Sequence, residues 1–341
     1  MRIMPIPIIV LGAGASHDYT HYGNPPPLTD HLVNERYLDL DIISQYREAS
    51  YLISEIAPQV ITQKKSFEKI LSSIMKSSGQ HMHRKHQFIG LQFYLRDYFE
   101  KLSNNFHDIN NYRTLISKIN DHSNGQAHLA TFNYDTLLER SIGYDRFQSS
   151  SSYINTHPYI TKLHGSHDWA FIGSKNRSGV IDEIHPVSNA YEYFKRDPDY
   201  INSIRNKGTD PYHISEINGS SESRSIFQLP AIAIPIIDKQ EFLCPNRHIE
   251  VLKRNMEQAD RMLVIGWKAG DSNFTELIKD HLKEDGLLTV VSNKTETARE
   301  IVDKLKEIKH FSKTEYYGGG FSKFASSSYC ENFFTQEVKL I

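Results

Sequence analysis

Three features of the sequence predict an α/β fold, a Rossmann-like doubly wound parallel sheet with a helical insertion. Short, continuously apolar runs such as IIVL and MLVI end in glycine or polar residues, as parallel strands buried on both faces do. From Asn246 onward, strand and helix patterns alternate regularly, as expected of a sheet wound with helices on both sides. Between the first and second strand signals lies a long stretch of helical periodicity.

The elements follow in order. Ile6 to Leu11 is the first strand, and the proline loop NPPPLTD, residues 24–30, comes after it. From Leu32 to about Asn120 the pattern is helical, in LVNERYLDLDIISQYREASYLISEI and FIGLQFYLRDYFEKL, with KSSGQHMHRKH as a connection. Strand character returns at His128–Phe132 and Tyr159–Leu163. Residues 172–225 are rich in Ser, Asn, Asp and Gly and hold loops, with one helix near Ser188–Lys195. LPAIAIPI and a helix over Asn246–Ala259 follow. Then come a strand Arg261–Ile265, a helix Asn273–Glu284, a strand Leu287–Val291 and a helix Glu296–Lys309. The expected organisation is a core from residues 1–31 plus 121–341, a helical module 32–120 inserted in it, and an irregular insertion 172–225.

Composition narrows the function. Thirty-nine Lys and Arg against 41 Asp and Glu give a net charge of −2, which supplies no global basic field for nucleic acid. Cys244 and Cys330 build neither a disulfide framework nor a four-thiolate zinc site. The opening apolar run turns into glycine too early for a signal peptide or membrane span, so a soluble, cytoplasmic protein is expected.

Five strand ends carry candidate chemistry, and each has a plain structural alternative. In IIVLGAGAS, Gly12 and Gly14 let backbone approach a ligand, and amides at a following helix start bind phosphate. The third glycine of the dinucleotide fingerprint is replaced in GAGASHDYT by Ser16 and His17, and a ligand-free turn has the same appearance. In LATFNYD, Asn133 is either a catalytic group or the cap of the helix DTLLERS, for which Asp135 beside Thr136 is the better candidate. In ITKLHGSHDW, His164 is a base suited to neutral pH or a structural histidine. MLVIGWKAGDSN and LTVVSNK offer Gly266, Asp271, Ser292 and Asn293, each alone an ordinary turn. HMHRKH, residues 81–86, has no carboxylate or cysteine beside it and is read as a solvated turn, not a metal site. His17 and His167 flank motifs, Trp169 and Trp267 suit core or pocket wall, and Lys304–Lys309 suits a solvated helix face.

Taken in order, GAGAS, TFNYD, KLHGSHDW, VIGWKAGD and VVSN resemble the sirtuin family, specifically the sirtuin-like NAD-hydrolase domains of bacterial anti-phage defence. The resemblance spans Gly12 to the glycine run Gly318–Gly320. It implies that Gly12, Ala13, Gly14, Ala15 and Ser16 hold the pyrophosphate of NAD, and that Asn24, Thr29 and Asp30 cover the nicotinamide end. It implies Asn133 and Asp135 by the nicotinamide and its ribose, His164 as the active-site histidine with Gly165 beside it, and Gly266 with Asp271 near phosphates or ribose. Ser292 and Asn293 then lie near the adenosine ribose, and Gly319 and Phe321 border the adenine.

The four-cysteine zinc module of protein deacetylases is absent, so no zinc is expected and water becomes the favoured acceptor. The implied activity is NAD+ hydrolysis to nicotinamide and ADP-ribose (or a cyclic form) in abortive infection. A subunit that senses NAD or ADP-ribose without turnover, and an NAD-dependent protein deacylase or ADP-ribosyltransferase, are the alternatives. Regulation is expected from homo-oligomerisation or a partner such as a HerA-type ATPase, with 32–120 as the assembly surface.

Overall fold

The computed structural model describes residues 5–18, 25–106, 110–174, 187–198, 201, 204, 210–218, 226–236 and 241–336. Strand β1 (Ile8–Leu11) is fully buried along its length. Ile9 and Leu11 enter one hydrophobic cluster while Ile8 and Val10 enter the other, as alternation across a doubly covered sheet requires. The chain then turns at Gly12 into a short helix α1 (Ala13–His17), and later a 3-10 turn over Thr29–Val33.

Among the described residues five further helices precede the next strand: α2 (Leu40–Ile43), α3 (Arg47–Ile61), α4 (Phe67–Ser78), α5 (Met82–Asn105) and α6 (Asn110–Ser123). In α3 the buried residues Ala49, Leu52, Ile53, Ile56 and Val60 recur at helical spacing, which gives one apolar face. Residues Phe88 to Leu95 of α5 are buried on every side, so this helix is packed all round. Gln92 within it donates Nε2 to the Pro230 and Ile232 carbonyls at 2.6 and 3.2 Å, which fastens the helix to sheet backbone. The HMHRKH segment is mostly the first turns of α5 rather than a connection.

The remaining elements are β2 (His128–Thr131), α7 (Leu137–Ile142), α8 (Ser152–Asn155), β3 (Tyr159–Lys162), β4 (Gly165–Ser174), α9 (Val187–Arg196), β5 (Tyr212–His213), α10 (Ile214–Asn218) and β6 (Ile226–Ile232). Then follow α11 (Asn246–Gln258), β7 (Arg261–Ile265), α12 (Ser272–His281), β8 (Gly286–Ser292), α13 (Thr295–Ile308), β9 (Phe311–Gly318), α14 (Phe321–Ala325) and α15 (Ser328–Thr335). Among the described residues six strands form one parallel sheet in the order β3-β2-β1-β7-β8-β9. This is an α/β Rossmann-like sheet, doubly wound, whose strand order reverses between β1 and β7.

Further features depart from the sequence-based expectation, among them β5 and α10 within 172–225, where loops with one helix were expected. The LPAIAIPI segment does not join the parallel sheet; β6 pairs antiparallel with β4 in a second sheet ordered β5-β4-β6. Strand β9 was not expected, because FSKTEYYG lacks a continuous apolar run. It is an edge strand with mostly polar exposed residues, which suits an edge that must not recruit another strand. Among the described residues no helix is long and apolar enough to cross a membrane.

Candidate active site

The carboxyl ends of β1, β2, β3 and β7 open into one cavity at the point where the strand order reverses, the place where such sheets hold ligands. Its floor is two loops locked backbone to backbone. Gly12 N donates to the Ile265 carbonyl at 2.9 Å and Gly14 N to the Gly266 carbonyl at 3.1 Å. A Cβ on Gly12 would stand 2.5 Å from the Gly266 oxygen, and one on Gly266, whose φ is +65°, 2.3 Å from Ala15 N. The glycines are thus required by loop packing as well as by any ligand's approach.

Asn133 is buried at the end of β2, and it does not cap α7. The carboxylate of Asp135 takes that work, accepting from Leu137 N at 3.1 Å. The Asn133 side chain instead donates Nδ2 to Ser16 Oγ at 3.0 Å and to Tyr112 OH at 3.2 Å. Ser16 and Tyr112 hydroxyls are 2.9 Å apart, and Ser16 also hydrogen-bonds the Asp135 carboxylate. With the amide nitrogen so engaged, Oδ1 of Asn133 is buried and has no hydrogen-bond partner among the described residues. Burial pushes the Asp135 carboxyl up, with the Lys162 ammonium opposing the shift.

His164, also buried, sits edge-on to Phe132, whose ring stacks on Trp267 at 5.2 Å. Its carbonyl accepts from Ala233 N at 3.0 Å, which ties this turn to the end of β6. Its Nε2 lies 3.0 Å from Asp271 Oδ2, while Asp271 Oδ1 caps α12 by accepting from Phe274 N at 2.9 Å. An ionised carboxylate only accepts, so a neutral imidazole donates Nε2–H to it and keeps its lone pair on Nδ1. The pair fixes the orientation of the imidazole at the cavity wall.

The opposite wall comes from residues 26–32 and from the helices between β1 and β2. Asp30 Oδ1 accepts from Phe67 N at 2.8 Å, at the start of α4, and Thr29 Oγ1 donates to Glu68 Oε1 at 3.3 Å. Ser66, Glu68 and Phe99 line the cavity with them, and Lys268 lies exposed at the other side.

Of the residues expected at the site, Gly12, Ala13, Gly14, Ser16, Thr29, Asp30, Asn133, Asp135, His164, Gly266 and Asp271 line this cavity. Ala15, Gly165, Ser292, Asn293, Gly319 and Phe321 do not line it. Gly165, at φ +76°, is the tight turn into β4, where a Cβ would stand 1.7 Å from the Ala231 oxygen. Ser292 accepts at its carbonyl from Gly319 N and Gly320 N, both at 3.0 Å, and Asn293 adjoins that turn. Phe321 is core, packed edge-on against Tyr112. Asn24 lies outside the described residues.

No family model matches the sequence, and no curated protein matches it. Solved structures do resemble it. One is a Sir2 homolog–NAD complex at 11% identity and TM-score 0.47, covering 96% of this chain and 89% of that one. A mutant Sir2 homologue in complex with 2′-O-acetyl ADP ribose gives 11% and 0.47, over 98% and 94% of the two chains. Sir2Tm bound to a propionylated peptide gives 13% and 0.43, over 94% and 90%. At this identity the chemistry of the site is read from its own side chains.

Sequence reasoning missed Tyr112, Glu68, Lys268 and Lys162. Tyr112 is 96 residues from Ser16, and nothing local announces that the two hydroxyls meet. Lys162 does leave a signal, as a lone lysine at the end of a buried strand. Behind the cavity its Nζ donates to the Asp135 carbonyl and pairs with Glu139 Oε1 at 2.8 Å, both side chains being fully buried. No group of three or more His, Cys, Asp or Glu among the described residues is arranged to hold a metal.

Proposed function

We propose that this protein hydrolyses NAD+ to nicotinamide and ADP-ribose. The observation that carries the reading is Asn133: a cavity-lining amide whose Oδ1 is buried, fixed in orientation and unsatisfied. A buried acceptor without a donor is costly, and a ribose hydroxyl or a water supplies one. Beside it His164, held by Asp271, offers a basic nitrogen. The turns at Gly12, Gly14 and Gly266 line the cavity where the pyrophosphate would lie, with Lys268 as its counter-charge.

In the reaction the C1′–N bond breaks and its electron pair passes to the pyridinium nitrogen, so neutral nicotinamide leaves. Water forms the new bond at C1′ and gives its proton to His164. Asn133 holds ribose and water in line without adding charge. The Sir2 complexes with NAD and with 2′-O-acetyl ADP ribose are in keeping with this substrate. The motif series also supports an effector role in anti-phage defence, held in check by homo-oligomerisation or by a HerA-type ATPase.

His164→Ala and Asn133→Ala should each abolish nicotinamide release while leaving thermal unfolding cooperative. Full activity in either purified variant overturns the assignment. Tight NAD+ binding without release under any condition favours a sensing subunit, and release that requires an acylated peptide favours a deacylase.

A further inference from the structure

Four carboxylates line the cavity: Asp30, Glu68, Asp135 and Asp271. Three are committed to the fold. Asp30 caps α4, Asp135 caps α7 and holds Ser16, and Asp271 caps α12 and orients His164. Glu68 is different. Its carboxylate receives only the Thr29 hydroxyl, at 3.3 Å, and no cation pairs with it among the described residues. A cavity-lining carboxylate with no cation of the fold paired to it is complementary to a cationic ligand.

The position of Glu68 is held firmly. Asp30 pins the first amide of α4 to the loop that lines the cavity, and Ser72 Oγ donates to the Glu68 carbonyl at 2.7 Å. The carboxylate lines the same cavity as Asn133, Tyr134 and His164. Tyr134 follows Asn133 in the chain, and its ring lies 6.4 Å from that of His164. The cavity thus carries a lysine beside the glycine seam and an uncommitted carboxylate on the helical wall. NAD+ has the complementary polarity, an anionic pyrophosphate and a cationic nicotinamide ring.

We infer that Glu68 is the substrate-contacting carboxylate that faces the cationic nicotinamide ring of NAD+ and then the positive charge that passes to the ribose as the ring leaves. This rests on the NAD+ hydrolase reading and deepens it. Glu68 forms no covalent bond. The leaving electron pair goes to the ring nitrogen, the charge moves to C1′ and the ring oxygen, and water quenches it with its proton passing to His164. A fixed anion at that point stabilises the transition state more than the free reactants. The helical segment between β1 and β2 accordingly supplies part of the active site in addition to any assembly surface.

The test has two arms. In steady-state kinetics Glu68→Gln should lower kcat about 100-fold, the scale of one lost electrostatic contact, and raise KM by up to about tenfold as ground-state affinity for the cationic ring is lost. Glu68→Asp should recover part of the loss. In calorimetry on the His164→Ala background, NAD+ should bind more tightly than NADH, whose dihydronicotinamide is neutral. Adding Glu68→Gln should weaken NAD+ by about tenfold, leave NADH unchanged and so remove the preference. A Glu68→Gln enzyme that keeps both its kcat and its preference for NAD+ overturns the inference. Wild-type protein that prefers NAD+ through Glu68 yet releases no nicotinamide overturns the hydrolase reading while the charge contact stands. Binding of neither nucleotide overturns both.

Discussion

Asn133 illustrates how hydrogen-bond bookkeeping at single residues separates a cap from a reacting group. The Ser16 hydroxyl hydrogen-bonds the Asp135 carboxylate and lies 2.9 Å from Tyr112 OH, and its Oγ accepts from the Asn133 amide. That chain directs Nδ2 inward and leaves Oδ1 as the unsatisfied end. Half of this was legible in the sequence, since GAGAS and TFNYD both stand out as strand ends. Tyr112 was not legible, because it lies in a helix whose periodicity speaks only of packing. Tyr112→Phe keeps the ring against Phe321 and removes one partner of the amide. It should lower kcat by about tenfold, equivalent to one hydrogen bond of ~1.4 kcal/mol, with KM within a factor of about two. A variant with unchanged kcat, or with KM alone raised, excludes this positioning role.

At the scale of elements, the first turn of α7 and the loop before it are held from behind by a buried ion pair. Lys162 at the end of β3 joins the Asp135 carbonyl to Glu139 on α7, and Tyr153 OH adds a 3.3 Å contact to the same carboxylate. Burial pushes the Glu139 carboxyl up and the Lys162 charge opposes this, so the glutamate depends on the lysine. Removing one member of such a pair costs far more than replacing both. Lys162→Met should lower stability in urea denaturation by about 3–5 kcal/mol, and Lys162→Met with Glu139→Leu should recover most of it. Equal losses in the single and double variants contradict this account. The parallel strands around the pair were legible from their apolar runs. The second sheet was not, because β4 begins at the polar GSHDW and its partners lie in or after a segment of weak pattern. Such strands are decided by the neighbours they meet and not by their own periodicity.

Over the whole molecule, several polar groups are stored inside the fold in one protonation state, and this sets how stability responds to acid. Burial pushes the imidazole of His128 down to about 3, with His248 and His157 adding to the effect. Burial likewise takes His167 and His248 down to about 4. His128 spans β2, β3 and α11, with Nε2 2.8 Å from Thr161 Oγ1 and Nδ1 2.9 Å from Asn255 Nδ2. A histidine depressed in the fold contributes stability that is fully present above its unfolded value near 6.5 and is lost as pH falls toward the folded value. The carboxyls of Asp135 and Glu139, pushed up by burial, act in the opposite sense. A difference measurement separates the terms. Urea denaturation of the wild type at pH 7.5, 6.5 and 5.5 should show stability falling as the solution is acidified. His128→Gln, though less stable at pH 7.5, should lose stability less steeply between 6.5 and 5.5, by up to ~1.4 kcal/mol per pH unit. Parallel pH profiles for the two proteins would mean that His128 is charged inside the fold, contrary to a site walled by Thr161 and Asn255 with no carboxylate hydrogen-bonded to its ring among the described residues.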